Sequence, residues 1–292
     1  MFISGKVTLF LDNTHFLSKK NPIFAKKQTI MMSRQTITST QNPRIKHVVA
    51  LQQKAQQRRA EARIVVEGVR EIMHCINAGF SIDTVFCCPA LFDASKLGGN
   101  DYEIIEVTPQ VYDKIAYRGS TEGVLAIVKP QPISLEDIEL GDTPLIVVLE
   151  GVEKPGNIGA VLRSADAAQA TAVIVCDPLT DLYNPNLIRS SIGAIFTVPC
   201  VACSTIECIK FLKKNNIKIL TAQLQDSELY YNTTMAGPTA IVMGTEATGL
   251  TNPWREAADA HIRIPMKGAL DSLNVSVSAA ILLYEAVRQR FS

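Results

Sequence analysis

Residues 149–166, with the sequence LEGVEKPGNIGAVLRSAD, constrain the fold more than any other stretch of this chain. They join the end of an apolar strand to a loop of glycine and proline, and that loop leads into an amphipathic helix. The strand residues 144–149 are apolar throughout, as expected for a strand that is buried on both faces of a sheet. A strand, a glycine turn and a helix in this order usually form a ligand site in an α/β fold.

Strand-like apolar runs alternate with helical periodicity from residue 40 onward, which predicts an α/β fold. A chain of 292 residues is long enough for two domains. The smaller domain is predicted to span residues 40–129, and the larger one residues 144–292. Between them, residues 130–143 have the prolines and acidic side chains that are typical of a linker.

Residues 1–39 are predicted to form a disordered tail, because residues 1–33 show no hydrophobic periodicity. An upstream start codon would explain them, with Met31 or Met32 as the natural first residue. A transit peptide is the alternative, although no arginine precedes Arg34.

The charge of the chain is distributed unevenly. Residues 1–60 hold eleven lysines and arginines and one acidic residue, whereas the remainder holds 18 basic against 27 acidic residues. Part of this basic excess lies on a helix predicted over residues 44–60. The asymmetry favours a basic front end that binds a polyanion, and the alternative is a solvated basic tail.

Seven cysteines without regular spacing, and the lack of a secretory signal, predict a cytoplasmic protein. Cys200 and Cys203 form one CxxC between a strand predicted at 195–198 and a helix predicted at 205–214. No second pair follows at the spacing of a zinc site. Packed thiols are therefore favoured over a metal, and no metal is predicted. No apolar run approaches the ~18–20 residues that span a membrane.

Three predicted loops combine glycine with polar residues directly after strands: 150–159, 244–249 and 265–276. Ligands bind at the carboxyl ends of strands in open α/β sheets, so a nucleotide-like ligand is the general expectation. The common phosphate motifs are not matched, because Asn157 and Ile158 stand where a P-loop has Lys and Ser or Thr. The polar set suits a neutral or zwitterionic ligand held by backbone groups, with one cation available for a phosphate.

The three loops resemble the motifs of a known family in order, spacing and position after strands. The segments are NIG at 157–159 with Arg163, GTEATGL at 244–250, and IPM at 264–266 with SLNVS at 272–276. They resemble motifs 1, 2 and 3 of the SpoU/TrmH family, S-adenosylmethionine-dependent RNA ribose 2′-O-methyltransferases of the SPOUT superfamily. The front domain, with NPRIK at 42–46 and VEGVR at 66–70, is similar to the L30e-like substrate-binding domain of that family.

The resemblance implies a SPOUT methyltransferase domain with a C-terminal trefoil knot, in which the cofactor S-adenosylmethionine lies bent. It also implies a homodimer with two sites near the interface, so that Arg163 of one subunit approaches the cofactor of the other. By position in the motifs, the cofactor-binding residues are Gly244, Ile264, Met266 and Leu273, with Thr221 close by.

The resemblance also assigns roles to the catalytic candidates. For Arg163 the family implies a role in activating the 2′-hydroxyl. Because a guanidinium has a pKa above ~12 and stays protonated, we expect Arg163 instead to hold the adjacent phosphate and hydroxyl in place, while the proton leaves to a phosphate oxygen or water. Asn157 would orient Arg163 or the ribose, and Glu246 would anchor the loop or the arginine. Asn274 and Ser276 would complete the target pocket. The alternatives are helix capping for Asn157 and Ser276, and a surface ion pair for Glu246.

Further basic residues are candidates for RNA contacts. Arg44, Lys46, Arg58 and Arg59 would contact the RNA backbone and position it rather than read its sequence. Arg189 lies in a cluster that also matches the family, although a neutral Asn186 stands where the family usually has a basic residue.

The two-domain layout favours ribosomal (23S) RNA as the substrate, and a tRNA 2′-O-methyltransferase is the alternative. Two other functions stay open at this point. One is a non-catalytic RNA-binding protein with a relict methyltransferase domain, and the other is a SPOUT enzyme that methylates a base nitrogen.

Overall fold

A computed structural model describes residues 35–98, 102–117, 122–245, 248–269 and 272–291. All of them lie in one compact unit. They form two β-sheets with helices packed against them, so the predicted α/β fold is confirmed. Residues 1–34 of the predicted tail, including Met31 and Met32, lie outside the described residues.

The first sheet has five strands in the order β1-β4-β3-β5-β2. In chain order these are β1 (Gln35–Ile37), β2 (Ile64–Glu67), β3 (Ile82–Cys87), β4 (Glu103–Val107) and β5 (Val124–Val128). β1, β4 and β3 run parallel, whereas β5 is antiparallel to β3 and β2. The prediction that the tail extends to residue 39 is wrong, because β1 pairs with β4 and buries Ile37 in the core.

Four helices accompany this sheet: α1 (Pro43–Gln53), α2 (Ala55–Glu61), α3 (Val69–Asn77) and α4 (Pro109–Ile115). The single helix predicted over residues 44–60 is therefore two helices. The backbone leaves the helical region at Lys54, where φ is −116° and ψ is 108°, and this residue ends α1 and precedes α2. Asn42 begins α1, because its side chain accepts a hydrogen bond from the Arg44 N–H at 2.9 Å.

The second sheet has seven parallel strands in the order β10-β12-β9-β11-β6-β7-β8. In chain order these are β6 (Leu145–Glu150), β7 (Ala172–Cys176), β8 (Cys200–Cys203), β9 (Lys218–Ala222), β10 (Glu228–Leu229), β11 (Thr239–Met243) and β12 (Ala260–Arg263). β6 is buried at every position, as its apolar run predicts. Because the strands are parallel, their carboxyl ends meet at one edge. Met243 there pairs with both Leu149 and Ala222.

The strand predicted over residues 195–198 is wrong. Ala194–Phe196 form a 3-10 turn, and the strand begins at Cys200 instead. Phe196 packs edge-to-face on Phe80, with 5.2 Å between the ring centroids. The run is apolar because it fills the core between the two sheets, and not because it belongs to either sheet.

Five helices accompany the second sheet: α5 (Pro155–Ala167), α6 (Pro185–Ser190), α7 (Thr205–Lys214), α8 (Asn252–Ala257) and α9 (Val275–Arg290). α5 approaches α6 closely at Gly159, where a Cβ would lie 2.8 Å from the carbonyl oxygen of Leu187. This glycine of the first motif therefore serves helix packing. Among the described residues, no helix combines the length and the apolar character that crossing a membrane requires.

Residues 130–143, predicted as a linker, pack against the second sheet. Leu135 and Ile138 are buried in a core with residues of β6, β7 and α7. Asp137 and Ser134 form a capping box around the 3-10 turn Leu135–Asp137. The division into the domains 40–129 and 144–292 stays a prediction, as does the trefoil knot.

Arg58 of α2 lies where the two sheets with their helices meet, and the RNA contact predicted for it is wrong. Its side chain is 4% exposed and forms an ion pair with Asp181 at 2.7 Å. Its Nη1 donates to the carbonyl oxygen of Leu51 at 2.7 Å. A buried guanidinium with these partners cannot reach an RNA phosphate. It joins α2 to the segment between β7 and α6 instead.

Replacing Arg58 by alanine is expected to lower the free energy of unfolding by about 3–5 kcal/mol, because the Asp181 carboxylate loses its partner in a nearly buried position. The measurement is urea unfolding at constant ionic strength. Arg59→Ala is the matched control, since Arg59 is the exposed neighbour on the same helix, and a change within about 0.5 kcal/mol is expected there. Equal stability of the two variants would contradict the structural role of Arg58.

Candidate functional site

A cavity of about 350 Å³ opens at the carboxyl edge of the second sheet. Its walls are the segments that follow β9, β11 and β12, together with the segment that leads into α9. Two of the three loops singled out in the sequence, 244–249 and 265–276, contribute residues to these walls, whereas the loop 150–159 contributes none among the described residues. The site therefore lies where open α/β sheets bind ligands.

Four of the five predicted cofactor residues line this cavity: Gly244, Ile264, Met266 and Leu273. The fifth, Thr221, is placed wrongly, because its side chain is fully buried and its hydroxyl bonds to Nδ1 of His261 at 2.6 Å. Side chains alternate along a strand, so the next residue of β9, Ala222, faces the cavity instead.

Gly244 allows the loop after β11 to fold back on itself. A Cβ at this position would collide with the backbone of Gly249 and would lie 2.6 Å from the N–H nitrogen of Leu250. The loop is closed by the Gly249 N–H, which donates to the carbonyl oxygen of Thr245 at 3.1 Å. The Thr248 N–H also donates to the Thr245 hydroxyl at 3.0 Å. These contacts give the cavity a wall of backbone groups.

Gln223 was missed in the sequence, although it lines the same cavity. Its amide nitrogen Nε2 donates a hydrogen bond to the carbonyl oxygen of Gln225 at 2.9 Å. Its Oε1 is buried and has no hydrogen-bond partner among the described residues. A buried acceptor without a partner is costly, so this oxygen is suited to a donor on a ligand. No sequence pattern marks it, because only the burial of one atom distinguishes it from other glutamines.

Asn157, Asn274 and Ser276 are brought together, as the resemblance implies. Asn274 Nδ2 donates to Asn157 Oδ1 at 3.2 Å and so joins the start of α9 to the start of α5. Asn274 Oδ1 accepts hydrogen bonds from the N–H and the hydroxyl of Ser276, at 3.0 and 2.6 Å. Asn274 is therefore the N-cap of α9. Helix capping is the alternative role given above for Asn157 and Ser276, but at the start of α9 it belongs to Asn274.

Arg163 is exposed, and it forms no hydrogen bond or ion pair with any described residue. It follows Asn157 by six residues on α5, which places it ~9 Å further along the helix axis and about 120° around it. Arg163 is also absent from the cavity lining. The fold thus presents a cation to solvent on a different side of α5 from Asn157.

Glu246 lies outside the described residues, so its predicted role stays a prediction. A different carboxylate, Glu150, holds the neighbouring segments together. Its side chain is 5% exposed and accepts hydrogen bonds from the Thr205 hydroxyl at 2.9 Å and from the N–H and hydroxyl of Thr251 at 2.8 and 2.6 Å. Glu150 therefore connects β6 to the start of α7 and to the end of the 244–250 loop. In the sequence, an acidic residue at the end of an otherwise apolar strand is the feature that could have indicated this role of Glu150.

The remaining basic candidates are exposed. Lys46 and Arg59 project from α1 and α2. Arg44 forms an ion pair with Glu103 at 2.7 Å, and both side chains are nearly half exposed. Arg189 on α6 donates to the carbonyl oxygen of Tyr117 at 2.8 Å. This hydrogen bond joins a helix of the second sheet to the segment that follows α4 of the first sheet.

Two family models match this chain. The model of the SpoU rRNA Methylase family matches residues 144–284, and that of the MRM3-like substrate binding domain matches residues 42–126. Among curated proteins, the chain is 37% identical over 194 residues to a 23S rRNA (guanosine-2′-O-)-methyltransferase RlmB of Vibrio vulnificus, covering 64% of this chain and 78% of that protein. With the RlmB of Escherichia coli it shares 39% identity over 175 residues, covering 58% and 72%.

Solved structures with the same fold carry related descriptions. A crystal structure of an RNA 2′-O ribose methyltransferase matches with a TM-score of 0.79 and 39% identity, over 88% of this chain and all of that chain. An rRNA methyltransferase from Sinorhizobium meliloti with bound AdoMet matches with a TM-score of 0.80 and 28% identity, over 88% and 99%. AviRb from Streptomyces viridochromogenes, a SpoU methyltransferase in complex with AdoMet, gives 0.79 and 29%, over 86% and 99%.

Proposed function

The chain belongs to the SpoU rRNA methylase family, and we propose that it transfers a methyl group from S-adenosylmethionine to a ribose 2′-hydroxyl of ribosomal RNA. The predicted family and enzyme class are confirmed by these matches. One observation in the structure carries the proposal. Residues of the second and third motifs wall the cavity, and Asn274 of the third motif lies beside it. Asn274 also bonds to Asn157 of the first motif, so all three motifs meet at this cavity.

The cavity fits S-adenosylmethionine in two respects. Gln223 Oε1 offers a buried acceptor that has no hydrogen-bond partner within the described part of the chain, which suits the amino group of an adenine. The close turn at Gly244 exposes a wall of backbone groups between Gly244 and Leu250. Ile264, Met266 and Leu273 add apolar surface for the flat base. When bound there, S-adenosylmethionine supplies a methyl group that its sulfonium already activates.

The protein's own contribution is to position the ribose and to allow the proton of its 2′-hydroxyl to leave. Asn157 and Asn274 hold each other through one amide contact, and Ser276 is held by Asn274. These groups therefore stand in fixed positions beside the cavity. The starts of α5 and α9 also meet here, and free backbone N–H groups at helix starts favour an anion such as the phosphate of the target nucleotide.

Arg163 acts on this site from a second copy of the chain. Within one copy it is exposed, has no hydrogen bond or ion pair with the residues that the structure describes, and lies on another side of α5 than Asn157. α9 presents Val277 and Tyr284 to solvent, with exposures of 46% and 52%, on one helix face. An exposed apolar face beside the site suits a homodimer interface. A guanidinium stays protonated in proteins, so Arg163 holds phosphate and hydroxyl, and the proton leaves to a phosphate oxygen or water.

The exposed Lys46 and Arg59 on α1 and α2 form the RNA contact of the front part, together with Arg44. They contact phosphates and so position the RNA without reading its sequence. Arg58 has no part in this contact, because it is buried. The choice of nucleotide rests with the shape of the surface between these cations and the site.

The test is methylation of ribosomal RNA isolated from cells that lack the gene. The purified chain with S-adenosylmethionine is expected to add a 2′-O-methyl group at one nucleotide of 23S rRNA, measured by mass spectrometry of nucleosides and by mapping of 2′-O-methyl sites. The same reaction with tRNA is the control. A methylated base would contradict ribose chemistry, modified tRNA alone would reassign the substrate, and no product despite cofactor binding would favour the RNA-binding alternative.

A further inference from the structure

Three cysteines converge at the carboxyl edge of the second sheet, away from the cofactor cavity. The sulfur atoms of Cys176, Cys203 and Cys208 all lie within 4.8 Å of one another. Cys176 and Cys208 are buried, and Cys203 is half-buried. They come from the ends of β7 and β8 and from the second turn of α7, so the fold rather than the sequence spacing brings them together.

The arrangement follows from strand register. Cys176 pairs with Cys203 across the parallel strands β7 and β8, and paired residues point to the same face of a sheet. α7 begins at Thr205 and packs over this face, which brings Cys208 onto the two strand sulfurs. The CxxC of the sequence is not the chelating pair. Cys200 and Cys203 are three apart on one strand, so they face opposite ways and pack into different cores.

We propose that Cys176, Cys203 and Cys208 bind a soft metal ion, with Zn²⁺ as the ion to test first. Thiolates prefer Zn²⁺ and other soft ions, and three sulfurs at this separation fit three corners of a tetrahedron around one ion. The half-buried Cys203 borders a groove with Glu207 and Lys210, through which the ion enters and a water completes the coordination. Binding displaces the thiol protons to solvent.

The surroundings support thiolate at this place. The cluster lies at the start of a ten-residue helix, whose positive end favours negative charge on Cys203.

The position of the ion indicates a structural role. Glu150 pairs with Cys176 in the sheet and accepts a hydrogen bond from Thr205, which is three residues before Cys208. The same carboxylate binds Thr251 at the end of the cofactor loop. An ion on the three sulfurs would therefore clamp β7, β8 and α7 beside the residues that hold this loop.

The experiment is anaerobic titration of the reduced full-length protein with Zn²⁺ against a chromophoric chelator, followed by titration with Co²⁺ and visible spectroscopy. One ion per chain and a thiolate-to-cobalt charge-transfer band are expected. Cys208→Ser is expected to weaken binding by about 100-fold or more and to remove the band, because serine is a poor ligand for soft ions. The half-buried Cys203→Ser is the second variant, should the buried substitution unfold the protein.

Cys200→Ser is the matched control, since it removes the other cysteine of the CxxC and leaves the cluster intact. It is expected to bind Zn²⁺ like the unmodified protein. Equal Zn²⁺ affinity in Cys203→Ser, Cys208→Ser and Cys200→Ser would overturn the proposal, as would the lack of Zn²⁺ binding by the reduced, unmodified protein. Circular dichroism of each variant separates loss of the ion from loss of the fold. Methyl transfer is not the readout, so the outcome is independent of the proposed function.

Discussion

Arg163→Ala is expected to reduce the rate of methyl transfer by about 10²–10³-fold, which corresponds to about 2.7–4 kcal/mol of transition-state stabilisation. The affinity for S-adenosylmethionine is expected to stay within about twofold, because the proposed role of Arg163 is to hold the RNA phosphate and hydroxyl and it does not line the cofactor cavity of its own chain. The measurements are single-turnover methylation with saturating cofactor, and calorimetry of cofactor binding without RNA. Together they separate a role in transfer from a role in binding.

Two further variants sharpen this result. Arg163→Lys keeps the charge but loses the planar pair of donors, so most of the rate loss should remain if phosphate and hydroxyl are held together. Lys213→Ala removes an exposed cation at the far end of α7, and it should leave the rate nearly unchanged. Full activity of Arg163→Ala would remove this residue from the mechanism. An equal loss in Lys213→Ala would show that net charge alone matters.

The residues whose positions could be predicted from the sequence are those that depend on backbone conformation and on the local sequence pattern. Residues 145–150 form a fully buried strand, as the apolar run 144–149 predicts. Gly244 and Leu273 line one cavity, as the resemblance to the family motifs implies. The wrong placements share a different cause. Thr221 lies on a strand next to the cavity, but which face of the sheet a strand residue occupies depends on packing against distant segments. Arg58 lies on a basic helix, but the partner of a basic side chain depends on the same kind of packing.

The same limit explains what was missed. Gln223 differs from other glutamines only in one buried oxygen, and Glu150 gains its role from Thr205 and Thr251, which are 55 and 101 residues away. Val277 and Tyr284 are seven residues apart on α9, a spacing that puts both apolar side chains on one face of the helix. In the structure the core side of α9 is formed by other residues, and these two are exposed. Periodicity identifies an apolar face, but it does not say whether the same chain covers it.

Gly244→Ala is expected to weaken S-adenosylmethionine binding by about 100-fold, or about 2.8 kcal/mol. The added Cβ would collide with Gly249 and lie 2.6 Å from the Leu250 nitrogen, and both are backbone groups that cannot rotate away. The loop must open, and the backbone wall of the cavity is lost. Gly268→Ala is the matched control in the neighbouring loop, because its Cβ would meet nothing within 4 Å. Calorimetry should find the control unchanged, and equal affinities in both variants would contradict the close turn.

Combined, the two variants test whether Arg163 serves its own site or that of a partner copy. In a mixed dimer of Arg163→Ala and Gly244→Ala, the first chain contributes an intact cofactor loop and the second an intact arginine. If Arg163 acts across the interface, one complete site forms, and co-expressed chains should recover about a quarter of the normal rate, since half of randomly paired dimers are mixed and each has one of two sites. If Arg163 acts within its own chain, neither site is complete. With S-adenosylmethionine kept below its dissociation constant for the unmodified protein, each variant alone is expected to retain about 1% of the normal rate or less in both cases. Activity that rises only on mixing therefore places the arginine in the partner's site.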